Sequence, residues 1–176
     1  MTAREIIRKL ESLENPVNIA GMARFGITAR KAFGVSAPVL KSLAKEIKKQ
    51  TNERHKLALE LWESGIHEAR ILAFLIDDPK QVSETQMESW AADFDNWAIC
   101  DTVCFKLFDR SPYAFQMVER WARVRDEFGK RAAFALLASL ALHNKEVGDE
   151  TFLKCLPWIE EAAVDGRNFV KKGVSW

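Results

Sequence analysis

The chain has no hydrophobic run long enough to span a bilayer. Its longest uncharged apolar stretch, Ala132 to Leu142, falls well short of the roughly 20 residues a transmembrane helix needs. Met1-Thr2-Ala3-Arg4-Glu5 is not followed by the apolar core of a signal peptide. These two absences predict a soluble intracellular protein, cytoplasmic and of bacterial type. Cysteine is scarce, and Cys100, Cys104 and Cys155 form no CxxC pair. An odd count in that arrangement reads as reduced thiols packed as small hydrophobes. Cys100 and Cys104 share a helix face, but no nearby His or Cys completes a tetrahedral set, so no metal is expected. His67-Glu68 opens like a zinc-protease motif, yet position 71 is Ile and the second histidine is missing. With Arg70, that pair reads as a polar cluster at a helix start, and His55 and His143 read as surface or capping residues. The Gly26 to Gly34 loop lacks the GxxxxGK[ST] phosphate cradle, so no nucleotide cofactor is expected. Sustained period-2 alternation is absent too, which leaves an all-α fold.

What is present are helix signals along the whole chain. With 176 residues, 48% apolar and 29% charged, the sequence can bury one substantial core, and a single domain over 1–176 is expected. Thr2 to Glu5 is a capping box, Asn15-Pro16 an N-cap with proline at the first helical position, and Ser36 with Pro38 opens a helix over Val39 to Lys49. Asn52 is expected to open a helix ending near Gly65, followed by one over Ile66 to Ile76 that stops before Pro79. Ser83 with Gln86 opens another through Trp90. Asp95, Ser111-Pro112, Asp126 and Asp149 are read as further N-caps, the last for one helix through Ala162. Asn168 to Trp176 begins an amphipathic segment. Ten or so helices joined by short turns suggest an α-solenoid of HEAT-like antiparallel pairs with a concave, basic groove. No heptad seam is exposed, so a monomer is expected.

The net charge of +1 is close to neutral, but its distribution is uneven. Basic residues gather at Arg24, Arg30 and Lys31, at Lys41, Lys45, Lys48 and Lys49, and again at Arg167, Lys171 and Lys172. Acids gather between Glu84 and Asp95 and between Glu160 and Asp165. One basic face suited to phosphate is compatible with that pattern, and so are ordinary solvated helix faces.

One segment breaks the apolar pattern. In Asn96-Trp97-Ala98-Ile99-Cys100-Asp101, a carboxylate stands one turn after a tryptophan in a helix otherwise built for core. At about 100° per residue, Trp97, Asp101, Cys104 and Phe108 share one stripe, while Ile99, Val103 and Leu107 fill the other side. A buried unpaired carboxylate costs several kcal/mol, so Asp101 needs a partner or a job.

Taken together, several segments resemble the AlkD-like DNA alkylation repair glycosylase family, a group with HEAT-like repeats. They are Met22 to Ile27, Gly34-Val-Ser36 with Pro38, Leu61-Trp62 with Ile66 to Ala73, Asn96 to Asp101, Lys130 to Phe134, and Asp165 to Lys172 ending in Val174-Ser175-Trp176. The resemblance implies Asp101 as the catalytic carboxylate, with Trp97 and Trp176 as aromatic walls beside the damaged nucleotide. It implies Arg131 as a backbone-contacting arginine, and a lesion that stays stacked in the duplex. Family members continue past the final tryptophan with more helix, so the last repeat is expected to be curtailed here.

The implied activity is hydrolysis of the N-glycosidic bond of positively charged N3- or N7-alkylated purines in double-stranded DNA. Asp101 would stabilise the oxocarbenium-like transition state and orient water, without cofactor. Arg30 and Lys31 in the glycine-bracketed loop, with Lys171 and Lys172, are the further candidate backbone contacts. Two alternatives stand beside this. Arg131 could be the salt-bridge partner of Asp101, which weakens the catalytic reading. The chain could instead be a non-catalytic HEAT-like module that binds nucleic acid or protein.

Overall fold

The structure, a computed structural model, describes residues 1–176. It contains twelve α-helices, one 3-10 turn and no strand. No helix is long and apolar enough to cross a membrane. The chain divides into two compact units, Met1–Val82 and Ser83–Trp176.

The first unit holds α1 (Ala3–Glu11), α2 (Pro16–Arg24), α3 (Ala37–Gln50), α4 (Arg54–Glu63) and α5 (His67–Ile76). Thr2 and Glu5 form the full reciprocal capping box expected of them, and the Asn15 side chain accepts from Asn18 N–H. Asn52 does not cap α4; Glu53 occupies that position, without a side-chain bond. α5 is the core helix of this unit, with Ala69, Leu72, Ala73, Phe74 and Ile76 all sealed from solvent. The loop between α2 and α3 is fastened to it by Glu68, whose two oxygens accept the backbone N–H groups of Phe33 at 2.9 Å and Gly34 at 2.7 Å. Glu68 is therefore structural: two otherwise orphaned donors and one buried carboxylate satisfy each other. Gly34 has a φ of +72°, and a Cβ there would lie 2.4 Å from the Asn15 carbonyl oxygen, so the turn tolerates only glycine.

The second unit holds α6 (Glu84–Ala92), α7 (Trp97–Lys106), the 3-10 turn (Phe108–Arg110), α8 (Ala114–Ala122), α9 (Glu127–His143), α10 (Asp149–Leu153), α11 (Leu156–Ala163) and α12 (Asn168–Val174). α7 is capped by Asn96 rather than Asp95: the Asn96 side chain accepts from Ile99 N–H, and Asp95 in turn accepts from the Asn96 amide. The helix expected from Asp149 through Ala162 is two helices, broken near Cys155, where Pro157 lies in the first turn of α11 and supplies no N–H to continue α10. Asp126 does cap α9, accepting from Gly129 N–H at 2.7 Å.

Stacking in this unit has a constant stride. Side chains of α7 and the following turn meet α9 at separations of 28 to 30 residues, through Cys100 with Phe128, Cys104 with Ala132, Asp101 with Arg131 and Asp109 with Ser139. Glu84 and Glu88 of α6 meet Gln116 and Arg120 of α8 at 32. Partner numbers rise together in both sets, so α7 runs parallel to α9 and α6 to α8. Equivalent helices of successive helix pairs stack in this way in repeat proteins. Ala132 to Leu136 of α9 are all at most 3% exposed, which explains why that helix reads as apolar on every side.

Candidate active site

Asp101 sits in the middle of α7, 7% exposed, and its partner is Arg131 in the first turns of α9. Arg131 Nε donates to Asp101 Oδ1 at 2.7 Å and Nη2 to Oδ2 at 2.6 Å, a bidentate fork. The third guanidinium nitrogen, Nη1, donates to the Phe169 carbonyl of α12 at 2.8 Å. Burial pushes the Asp101 carboxyl above the ordinary aspartate value, and Arg131 opposes that through its hydrogen bonds and charge. Arginine keeps its proton under all ordinary conditions, and a fork in which both Asp101 oxygens accept is the geometry of an arginine–carboxylate ion pair. Arg131 is 2% exposed, and this replaces the expectation that it reaches a DNA phosphate.

Aromatic rings close over the pair. The Arg131 guanidinium lies 5.2 Å from the Trp176 ring centre and 6.0 Å from that of Phe169. Trp176, 58% exposed, also packs edge-on against Phe105 at 5.7 Å. Gly173 brings α12 in: a Cβ there would stand 3.3 Å from Arg131 Cγ and 3.4 Å from its carbonyl oxygen. The start of α12 is held in place by charge. Arg167 forks onto Asp165 at 2.9 and 2.6 Å and donates to the Arg125 carbonyl at 2.6 Å, while Glu127 accepts Phe169 N–H at 3.1 Å. Arg167 accordingly holds the Asp165 carboxyl well below the usual carboxylate range.

The structure thus brings Asp101, Arg131 and Trp176 together. Trp97, half-buried, opens α7 one turn before Asp101. Lys171 and Lys172 are exposed on α12. Arg30 and Lys31 are exposed in the first unit, where Lys31 Nζ lies 5.9 Å over the Phe33 ring. Cys104 and Phe108, expected on the Asp101 stripe, face the core instead. Cys104 donates to the Ala132 carbonyl, and Phe108 packs between Trp90 and Trp121. The residue that continues the stripe is Phe105, four after Asp101, a spacing readable in the sequence. Phe169 and Gly173 carried no comparable signal. Burial pushes the Cys100 thiol up, and as a neutral thiol it donates to the Phe128 carbonyl.

Residues 6–176 match the family model described as DNA alkylation repair enzyme. The chain belongs to the DNA alkylation repair enzyme family. Comparison with curated proteins finds no match. Among solved structures, the chain is similar to one described as a new family of proteins related to the HEAT-like repeat DNA glycosylases with affinity for branched DNA structures. The two share 22% identity at a TM-score of 0.83, over 99% of this chain and 73% of that one. The constant stride of α6 to α9 is therefore that of a HEAT-like repeat fold. Within this DNA alkylation repair family member, Asp101, Arg131 and Trp176 form one contiguous group.

Proposed function

We propose that the chain is a monofunctional DNA glycosylase that excises positively charged N3- or N7-alkylated purines from duplex DNA. The observation that carries this reading is the Asp101 carboxylate, fixed in orientation by a bidentate arginine beneath an exposed tryptophan. Alkylation makes the purine a cation, so the electron pair of the breaking C–N bond neutralises the departing base and leaves positive charge on the sugar. Each Asp101 oxygen keeps a lone-pair site beyond the one given to Arg131. From there the carboxylate stabilises the oxocarbenium-like sugar and orients a water, which adds to the anomeric carbon and gives up its proton to the carboxylate or solvent. Trp176 and Trp97 offer π faces to the cationic lesion, each contact contributing about 0.5 to 2 kcal/mol according to desolvation. Arg131 is a positioning residue in this scheme. Backbone contact falls to exposed cations, with Lys171 and Lys172 in the same unit as Asp101 and with Arg30 and Lys31 as further candidates.

A second reading is favoured by the same pair. Arg131 neutralises Asp101 directly, and the structural relative is described by its affinity for branched DNA; a DNA-binding module without excision is consistent with both. Release of 7-methylguanine from methylated duplex DNA separates the two. The glycosylase reading expects release by the intact chain and a fall of about 10²- to 10³-fold in Asp101→Asn, the usual cost of deleting an electrostatic stabiliser. No release by the intact chain, with tighter binding to a four-way junction than to duplex, establishes the second reading.

A further inference from the structure

Asp109 is the second buried carboxylate on the α7–α9 seam, and the proposed chemistry leaves it unused. It lies in the 3-10 turn after α7 and is 8% exposed. Its Oδ2 accepts from Ser139 Oγ at 2.8 Å and pairs with His143 Nδ1 at 2.6 Å, both on α9. Its Oδ1 is buried without a hydrogen bond and faces Arg110 Nε at 3.8 Å. A buried carboxylate with one oxygen unsatisfied costs stability, so a purely structural role accounts poorly for this cluster.

The outward side of the cluster is rich in exposed nitrogen groups. With Nδ1 turned to Asp109, the His143 ring presents Nε2 away from it; that side chain is 47% exposed and Nε2 has no protein partner. The Arg110 side chain is 59% exposed, and its two Nη groups have no partner either. Lys106, three residues before Asp109, and Lys145, two after His143, are also exposed, and Glu146 offsets one of them. The patch adjoins the aromatic wall, because the Phe105 ring stands edge-on to both His143 at 6.2 Å and Trp176 at 5.7 Å.

We propose that Asp109 and Ser139 orient His143, with Arg110 alongside, as a binding site for a DNA backbone phosphate. The proposal rests on the reading of the chain as a DNA-binding protein. His143 lies twelve residues after Arg131 on one helix, about 18 Å along its axis at 1.5 Å per residue. At the side-chain level the separation is shorter, since only the Phe105 ring, 6.2 Å from His143 and 5.7 Å from Trp176, stands between His143 and the aromatic wall, which places the contact a few 3.4 Å steps along a strand from the lesion. The contact therefore fixes the register of the duplex and reads no base. Arg110 supplies Nη–H donors, and the His143 ring supplies an Nε2–H donor once a phosphate oxygen and a second proton are bound there together, groups that suit a phosphate.

Fluorescence anisotropy of the full chain on a methylated duplex, across a range of salt, tests this. The Arg110→Gln/His143→Gln double variant should bind about tenfold more weakly, with the slope of log K against log salt reduced by about 1 to 2. His143→Lys should keep the wild-type slope, because it keeps a cation without the imidazole. Wild-type affinity and slope in the double variant overturn the site, whether or not its melting temperature falls. Displacement of the duplex by low-millimolar inorganic phosphate at matched ionic strength identifies free phosphate as the ligand and overturns the assignment to DNA. Failure of the intact chain to bind any DNA instead overturns the proposed function on which this rests.

Discussion

Replacing Arg131 with methionine isolates the energetics of the site. The side chains of the pair are 3% and 10% exposed, so Arg131→Met leaves Asp101 facing apolar groups with no other cation in the ion pair. Breaking a buried pair from one side costs about 3 to 5 kcal/mol, mostly for the stranded charge. Against a total stability of about 5 to 15 kcal/mol, that is a large fraction. Burial already raises the Asp101 carboxyl, with Arg131 the group opposing it, so removing Arg131 drives the carboxyl further up. The sign follows from linkage. A folded-state pKa above the unfolded one means the native state holds the extra proton, so stability rises as pH falls through that window. Urea denaturation at pH 7 and pH 4.5 should therefore show the Arg131→Met deficit shrinking at the lower pH. Arg131→Met/Asp101→Leu should recover at least about 2 kcal/mol of it at pH 7, since both charges are then gone. A pH 7 deficit under about 1 kcal/mol, or one that does not change with pH, refutes the argument that Asp101 is a desolvated carboxylate held ionised by Arg131.

Three further expectations are simpler. Gly34→Ala should destabilise the first unit by about 2 kcal/mol or more, from the positive φ and from the approach to the Asn15 carbonyl; an unchanged melting temperature would contradict the turn geometry. Asp165→Asn should lower stability at neutral pH, because a depressed carboxyl stabilises the fold above its unfolded pKa; the difference from wild type should begin to shrink below about pH 4, the unfolded aspartate value, and be lost only as pH falls on through the depressed folded value. Trp176→Ala should change the folding midpoint little, given a ring more than half exposed, while weakening binding of methylated DNA; equal affinity for methylated DNA in wild type and variant would remove Trp176 from the lesion site.

The helices were legible in the sequence wherever a capping side chain acts locally. Thr2, Asn15, Ser83 and Asp126 all accept from a backbone N–H three residues on, a relation contained within four positions. Local signals do not decide where two candidate caps are adjacent. Asn96 took the role expected of Asp95, and an amide that accepts from Ile99 N–H while donating to Asp95 satisfies both residues at once. The stripe around Asp101 is ambiguous in sequence for a related reason: three- and four-residue steps both keep roughly to one face, and only packing against α9 selects Phe105 over Cys104.

Arg131 lies thirty residues from Asp101, and no local rule could choose between phosphate contact and ion pair. The choice follows from the stride of the repeat. Parallel stacking at 28 to 32 residues places α7 and α9 side by side, so a polar residue inward on one helix must find its complement about thirty positions on. Asp101 with Arg131 and Asp109 with Ser139 obey that rule at the same offset, and both carboxylates are buried; the first pairs with a buried arginine beneath Trp176, the second with His143, whose side chain is 47% exposed. One repeat geometry thus produces two buried carboxylates that differ in partner: a permanently charged arginine closes over one, and a half-exposed histidine links the other to the surface.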